Sequence, residues 1–147
     1  MKASKGLRNA LLVSDSLKTV MALGFIHIYA GTVPATADDA LGSATLLCTI
    51  SESDTGTGIT FDDNVVAPGV AQKNTGEVWS GTNVDSGTAT FFRHVAVGDD
   101  GTSSVVQPRL QGTVAVGGGD LNLLPNTVLT SGAGQDIDYY TVALPTL

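Results

Sequence analysis

Two histidines, one cysteine and three acidic pairs are the side chains from which this 147-residue chain could build chemistry. His27 and His94 each fall inside an alternating strand pattern. Neither has a carboxylate or a second histidine at ligand spacing, so both read as structural. Asp38-Asp39, Asp62-Asp63 and Asp99-Asp100 lie in turn-forming stretches. Carboxylates work as an acid and base pair when unlike surroundings drive their proton affinities apart, whereas adjacent turn residues share solvent. Turn formation is the stronger reading of all three. Cys48, in Leu46-Leu47-Cys48-Thr49-Ile50, reads as a small core residue, with a reactive thiol as the alternative. As the only cysteine, it leaves no intrachain disulfide and no cysteine-rich metal site.

The remaining motifs fall short in the same way. Asp99-Asp100-Gly101 and Gly118-Gly119-Asp120 do not match a calcium loop, and Gly117-Gly118-Gly119 lacks the framework that cradles a phosphate, so a hairpin or bulge is expected there. No G-x-S-x-G elbow occurs. Trp79 could stack on a sugar with help from Tyr29, Tyr139 or Tyr140, but a lone Trp in a short strand reads as core. The expectation is a protein that is not an enzyme, with no catalytic, cofactor-binding or metal residues and no cofactor.

The elements that hold these residues are short. Ser4 to Leu23 carries an apolar stripe that includes Leu7, Leu11, Leu17 and Met21, which predicts an amphipathic helix. Ser14-Asp15-Ser16 allows a second, shorter helix instead of one continuous one. Phe25–Ala30 alternates two faces and is the first strand; Ser43–Ser51 is the second. Further strands are expected at Ile59–Phe61, Val78–Ser80, Thr88–Val97, Val105–Val116, Asn126–Leu129 and Asp138–Leu144. Turn marks separate them, among them Asp62 to Asn64, Asp85 to Gly87 and Gly98 to Gly101. In Ala89 to Val97 either face could be the core, because each carries one phenylalanine and one polar ring or cation. The pattern predicts an all-β fold, an antiparallel, jelly-roll-like β-sandwich over residues 23–147, behind a helical arm at residues 1–22. Leu7, Leu11, Leu17 and Met21 are the expected subunit interface.

Charge and hydropathy limit the partners. Seven basic against fourteen acidic residues give a net charge of −7, which disfavours a surface that binds nucleic acid through its phosphates. Only 14% of residues are charged, about half the ordinary share, while 42% are hydrophobic. A domain of this kind has much neutral surface for neighbours to cover. Lys2, Lys5 and Arg8 ahead of the apolar run Thr19–Ala30, with Ala35-Thr36-Ala37 beyond it, have the outline of a targeting signal, but Asp15 and Lys18 interrupt it. No apolar stretch approaches the roughly 18 residues that span a bilayer, so no membrane partner is expected.

Three stretches, in order along nearly the whole chain, carry a resemblance. The first is Gly6-Leu7-Arg8-Asn9-Ala10, then Ile28-Tyr29-Ala30-Gly31-Thr32-Val33-Pro34-Ala35, Ala37-Asp38-Asp39-Ala40 and Gly42-Ser43-Ala44-Thr45-Leu46-Leu47. The second is Gly87-Thr88-Ala89-Thr90-Phe91-Phe92-Arg93. The third is Gln111-Gly112-Thr113-Val114 with Gly119-Asp120-Leu121-Asn122-Leu123 and the final strand to Leu144-Pro145. Together they resemble a family of small virion structural proteins of tailed bacteriophages and prophages. The resemblance implies a protein made in the host bacterial cytoplasm and built into the virion as a homo-oligomer, with other virion proteins as partners. Head decoration (cement) on the major capsid protein is the first expectation. A collar or head-to-tail connector component is the second, and a receptor- or glycan-binding module of the tail or a head fibre the third. It supplies no catalytic residue.

Overall fold

Alternating apolar and β-branched residues over Phe25–Ala30 and a longer run over Thr45–Glu52 pair as the centre of a sheet that further strands extend on both sides. The computed structural model describes residues 1–63 and 67–143. In chain order the elements are β1 (Lys2–Ala3), α1 (Lys5–Val13), α2 (Leu17–Val20), β2 (Phe25–Ala30), β3 (Thr45–Glu52), β4 (Val70–Gln72), β5 (Trp79–Thr82) and β6 (Gly87–Thr88). They continue with β7 (Phe91–Val95), β8 (Arg109–Ala115), β9 (Leu121–Asn122), β10 (Val128–Leu129), β11 (Gly134–Asp136) and β12 (Thr141–Ala143). The fold is all-β and sandwich-like. Its principal sheet runs β1-β8-β7-β2-β3-β5-β11, with β9 added beside β8, and the ribbons β4/β12 and β6/β10 complete it. Every pairing between strands is antiparallel except β8 with β9.

Register assigns the two faces. Ile26 stands opposite His94 and Ile50, and Ile28 opposite Phe92 and Cys48, while His94 stands opposite Leu110. This face meets Phe61, Trp79, Leu129, Ile137, Tyr140 and Val142 in the main hydrophobic core. Phe25, His27, Tyr29, Phe91, Arg93, Val95, Arg109 and Gln111 alternate onto the other face. All five residues of β7 are buried. The sequence left the core face of this strand open for a physical reason: both faces are covered.

The helical segment is a broken pair. Ser4 caps α1 and Ser16 caps α2, each side-chain oxygen accepting from the amide three residues on. The segment packs on the sheet of its own chain. Lys2 and Ala3 pair with Gln111 and Leu110, and Leu7 and Met21 belong to the main core. The strand expected over Thr88–Val97 is split into β6 and β7, and Ile59 and Phe61 make isolated bridges. No hairpin forms at Gly117–Gly119: the chain turns there so that β9 runs parallel to β8. Asn64 of the expected turn and Leu144 of the last expected strand lie outside the described residues.

Candidate functional site

Four side chains were expected to face a neighbouring subunit, and the fold divides them. Leu7 and Met21 are 0% exposed within their own chain. The cause is the two-residue β1, which draws the start of α1 down onto β8. Ser4 Oγ accepts from the amides of Leu7 and Arg109 and donates to the Gln107 carbonyl. Leu11 and Leu17 are partly buried against the same core. The apolar surface that this segment does offer is Leu12 and Val13, 84% and 85% exposed at the end of α1.

The polar side chains converge on the second face of the principal sheet, beneath the loops 31–44 and 96–108. The Arg93 Nη2 donates to the carbonyls of Asp39 (2.7 Å) and Thr36 (3.4 Å), and Gln111 Nε2 donates to that of Pro34 (2.7 Å). Arg93 Nε is joined to Gln111 Oε1 at 2.9 Å. Arg109 donates to both carboxylate oxygens of Asp99, at 2.5 and 2.9 Å, and to the Ala37 carbonyl. The bidentate pair is almost dry, its side chains 0% and 2% exposed. Burial lowers the proton affinity of Arg93, and the like charge of Arg109 adds to that. Beside them an aromatic row runs Phe25, His27, Tyr29, Phe91. The Tyr29 hydroxyl lies 3.3 Å from His27 Nδ1. Burial pushes the Tyr29 phenol up to about 12, and burial also lowers His27 against the opposing pull of Asp99. Neutral His27 and neutral Tyr29 fill the layer, and the two guanidiniums together with the Gln111 amide hold the 34–39 loop by its carbonyls.

On the core face His94 lies among Phe61, Trp79 and Tyr140 with ring centroids 5.5 to 6.3 Å away. Its two ring nitrogens and the Tyr140 hydroxyl make no hydrogen bond among the described residues. Burial pushes the His94 imidazole down to about 3, so the ring is neutral at physiological pH. Cys48 is buried, and burial raises its thiol to about 12, leaving the thiol form in the core.

Two of the acidic pairs form turns as their composition suggests. Asp39 Oδ2 accepts from the Thr36 amide and hydroxyl, and Asp100 Oδ1 does the same for Thr102. Asp63 pairs with Lys18. Asp99 also accepts from the Gly101 amide in the same turn, and it is in addition the buried partner of Arg109, a role that turn composition does not reveal. The signal that was available is the spacing of Arg109 and Gln111, two polar side chains on one face of β8, with Arg93 in a neighbouring strand. Trp79 is 1% exposed and donates from Nε1 to Glu77, and Tyr140 is also buried, so neither offers a stacking face. Tyr139, 75% exposed, does, beside a cleft of about 190 Å³ that Gln72, Lys73, Thr75 and Asp138 help to line. Among the described residues no group of three or more His, Cys, Asp or Glu side chains could hold a metal ion.

No protein-family model, no curated protein and no solved structure matches this chain.

Proposed function

We propose that this chain is a non-enzymatic structural protein of a tailed-phage virion, a head decoration (cement) protein that binds the major capsid protein as a symmetric homo-oligomer. The observation that carries the reading is the end of α1. Leu12 and Val13 face solvent on a helix whose cap and Leu7 fix it to the sheet, so the apolar pair is held in one position. Burying two such side chains at a contact is worth about 3–5 kcal/mol. A low charge density leaves the surrounding surface easy to desolvate. The phage assignment itself rests on the ordered resemblance of the three sequence stretches.

Counting copies in purified particles tests this reading. Hundreds of copies on the head support decoration. A ring of about six to twelve supports the collar or connector form of the same proposal. Particles that lack the protein altogether overturn both. A second reading, a receptor- or glycan-binding module, has exposed Tyr139 and its polar cleft in its favour. It requires saturable binding to host surface glycans that Tyr139→Ala abolishes.

A further inference from the structure

Arg93 and Arg109 bring two guanidiniums into the layer beneath the 31–44 and 96–108 loops, and they are 1% and 0% exposed. The carboxylate buried with them, Asp99, turns both of its oxygens to Arg109. Every group that Arg93 bonds is neutral: the Gln111 side-chain oxygen at Nε, and the Thr36 and Asp39 carbonyls at Nη2. Asp39 also carries a carboxylate whose charge reaches Arg93, but that group is held by the amide and hydroxyl of Thr36. Arg93 is thus a buried cation with no counter-ion bonded to it, an arrangement that is costly away from water.

The hydrogen bonds point the same way. A guanidinium only donates, and Arg93 Nη1 is buried with no partner among the described residues. The other buried side-chain atoms without partners lie off this layer, His94 and Tyr140 on the core face and Asn83 beside Thr130. The layer therefore has a donor and a positive charge in excess, and no buried side-chain acceptor is left over to meet them. A water at Nη1 brings protons that need acceptors of their own, and it leaves the charge uncompensated. An anion answers both needs. With Arg93 1% exposed, the ion is a small one, a halide rather than a phosphate.

We propose that Arg93 Nη1 binds a halide ion, chloride in ordinary solution, as the counter-ion of the polar layer. The ion steadies the guanidinium that holds the 34–39 loop by its carbonyls. This site does not depend on the virion reading.

Crystals of the full chain grown in sodium bromide test this by anomalous scattering at the bromine edge. The expected result is a peak within hydrogen-bond reach of Arg93 Nη1. A water in that position overturns the proposal, and so does bromide on surface lysines alone, which is an adventitious ion only. In solution, replacing gluconate by chloride at constant ionic strength should raise the melting temperature by about 3–6 °C once chloride exceeds its Kd tenfold. Arg93→Gln should lose that dependence. Should the variant fail to fold, the bromide peak in the parent decides. A parent whose melting temperature ignores the halide contradicts the proposal as well.

Discussion

Arg109 and His94 are buried by opposite means. Arg109 keeps its charge because Asp99 neutralises it through two hydrogen bonds and the Ala37 carbonyl accepts a third. Removing one member of a buried ion pair strands the other, at about 3–5 kcal/mol. Asp99→Ala is therefore expected to lose stability on that scale in urea denaturation, and Asp99→Ala with Arg109→Met to lose clearly less. Equal losses would mean that the pair is not what holds the loops. His94 gives up its charge instead. Its pKa in the folded chain is about 3, against about 6.5 when unfolded. Between these values the unfolded chain binds a proton that the folded chain does not, so stability is lost as pH falls from about 6.5 toward 3. This residue accounts for about 3 kcal/mol between pH 7 and pH 4. His94→Phe should flatten that part of the pH profile by a similar amount, and an unchanged slope would contradict a neutral, buried imidazole.

At the scale of elements, the small start of α1 decides how the segment sits. Ser4 satisfies three backbone groups at once, the amides of Leu7 and Arg109 and the carbonyl of Gln107. Ser4→Ala removes a cap and leaves buried backbone groups unpaired, so a loss of about 2–3 kcal/mol is expected. Gly6→Ala tests the packing independently of propensity. Helix propensity alone favours alanine by about 1 kcal/mol. A Cβ on Gly6 would stand 2.3 Å from the Val106 carbonyl oxygen, however, so the substitution should lower the melting temperature. A rise would show that α1 can lift off β8.

The same elements show what was legible in the sequence. β2 and β3 could be read because their alternation and branched residues are local properties of the chain, whereas Ser14-Asp15-Ser16 left one continuous helix and a broken pair both open. β1 could not. It is two residues long and is made by pairing with Gln111 and Leu110, more than a hundred residues away. For Leu7 and Met21 the sequence does not decide, because an apolar helical stripe looks alike whether it meets its own core or a neighbour. The polar layer was hidden for a related reason: nothing local to Arg93, Arg109 and Gln111 shows that the 31–44 and 96–108 loops fold over them.

For the whole molecule, both faces of the principal sheet are covered, and Leu12 and Val13 on α1 are the most exposed of several large apolar side chains left at the surface. Assembly through that pair predicts a separation of effects. Leu12→Asp with Val13→Asp should leave the melting temperature within a few degrees of the parent, since exposed positions contribute little to folding, and should abolish association with the particle. Leu7→Asp should unfold the chain. Reconstitution on phage particles that lack the protein is the most direct measurement of the central claim. Wild-type protein should restore occupancy at a fixed number of symmetric sites, and the Leu12→Asp, Val13→Asp variant should leave them bare. Full occupancy by the folded variant, or no binding by the wild type, would contradict the account.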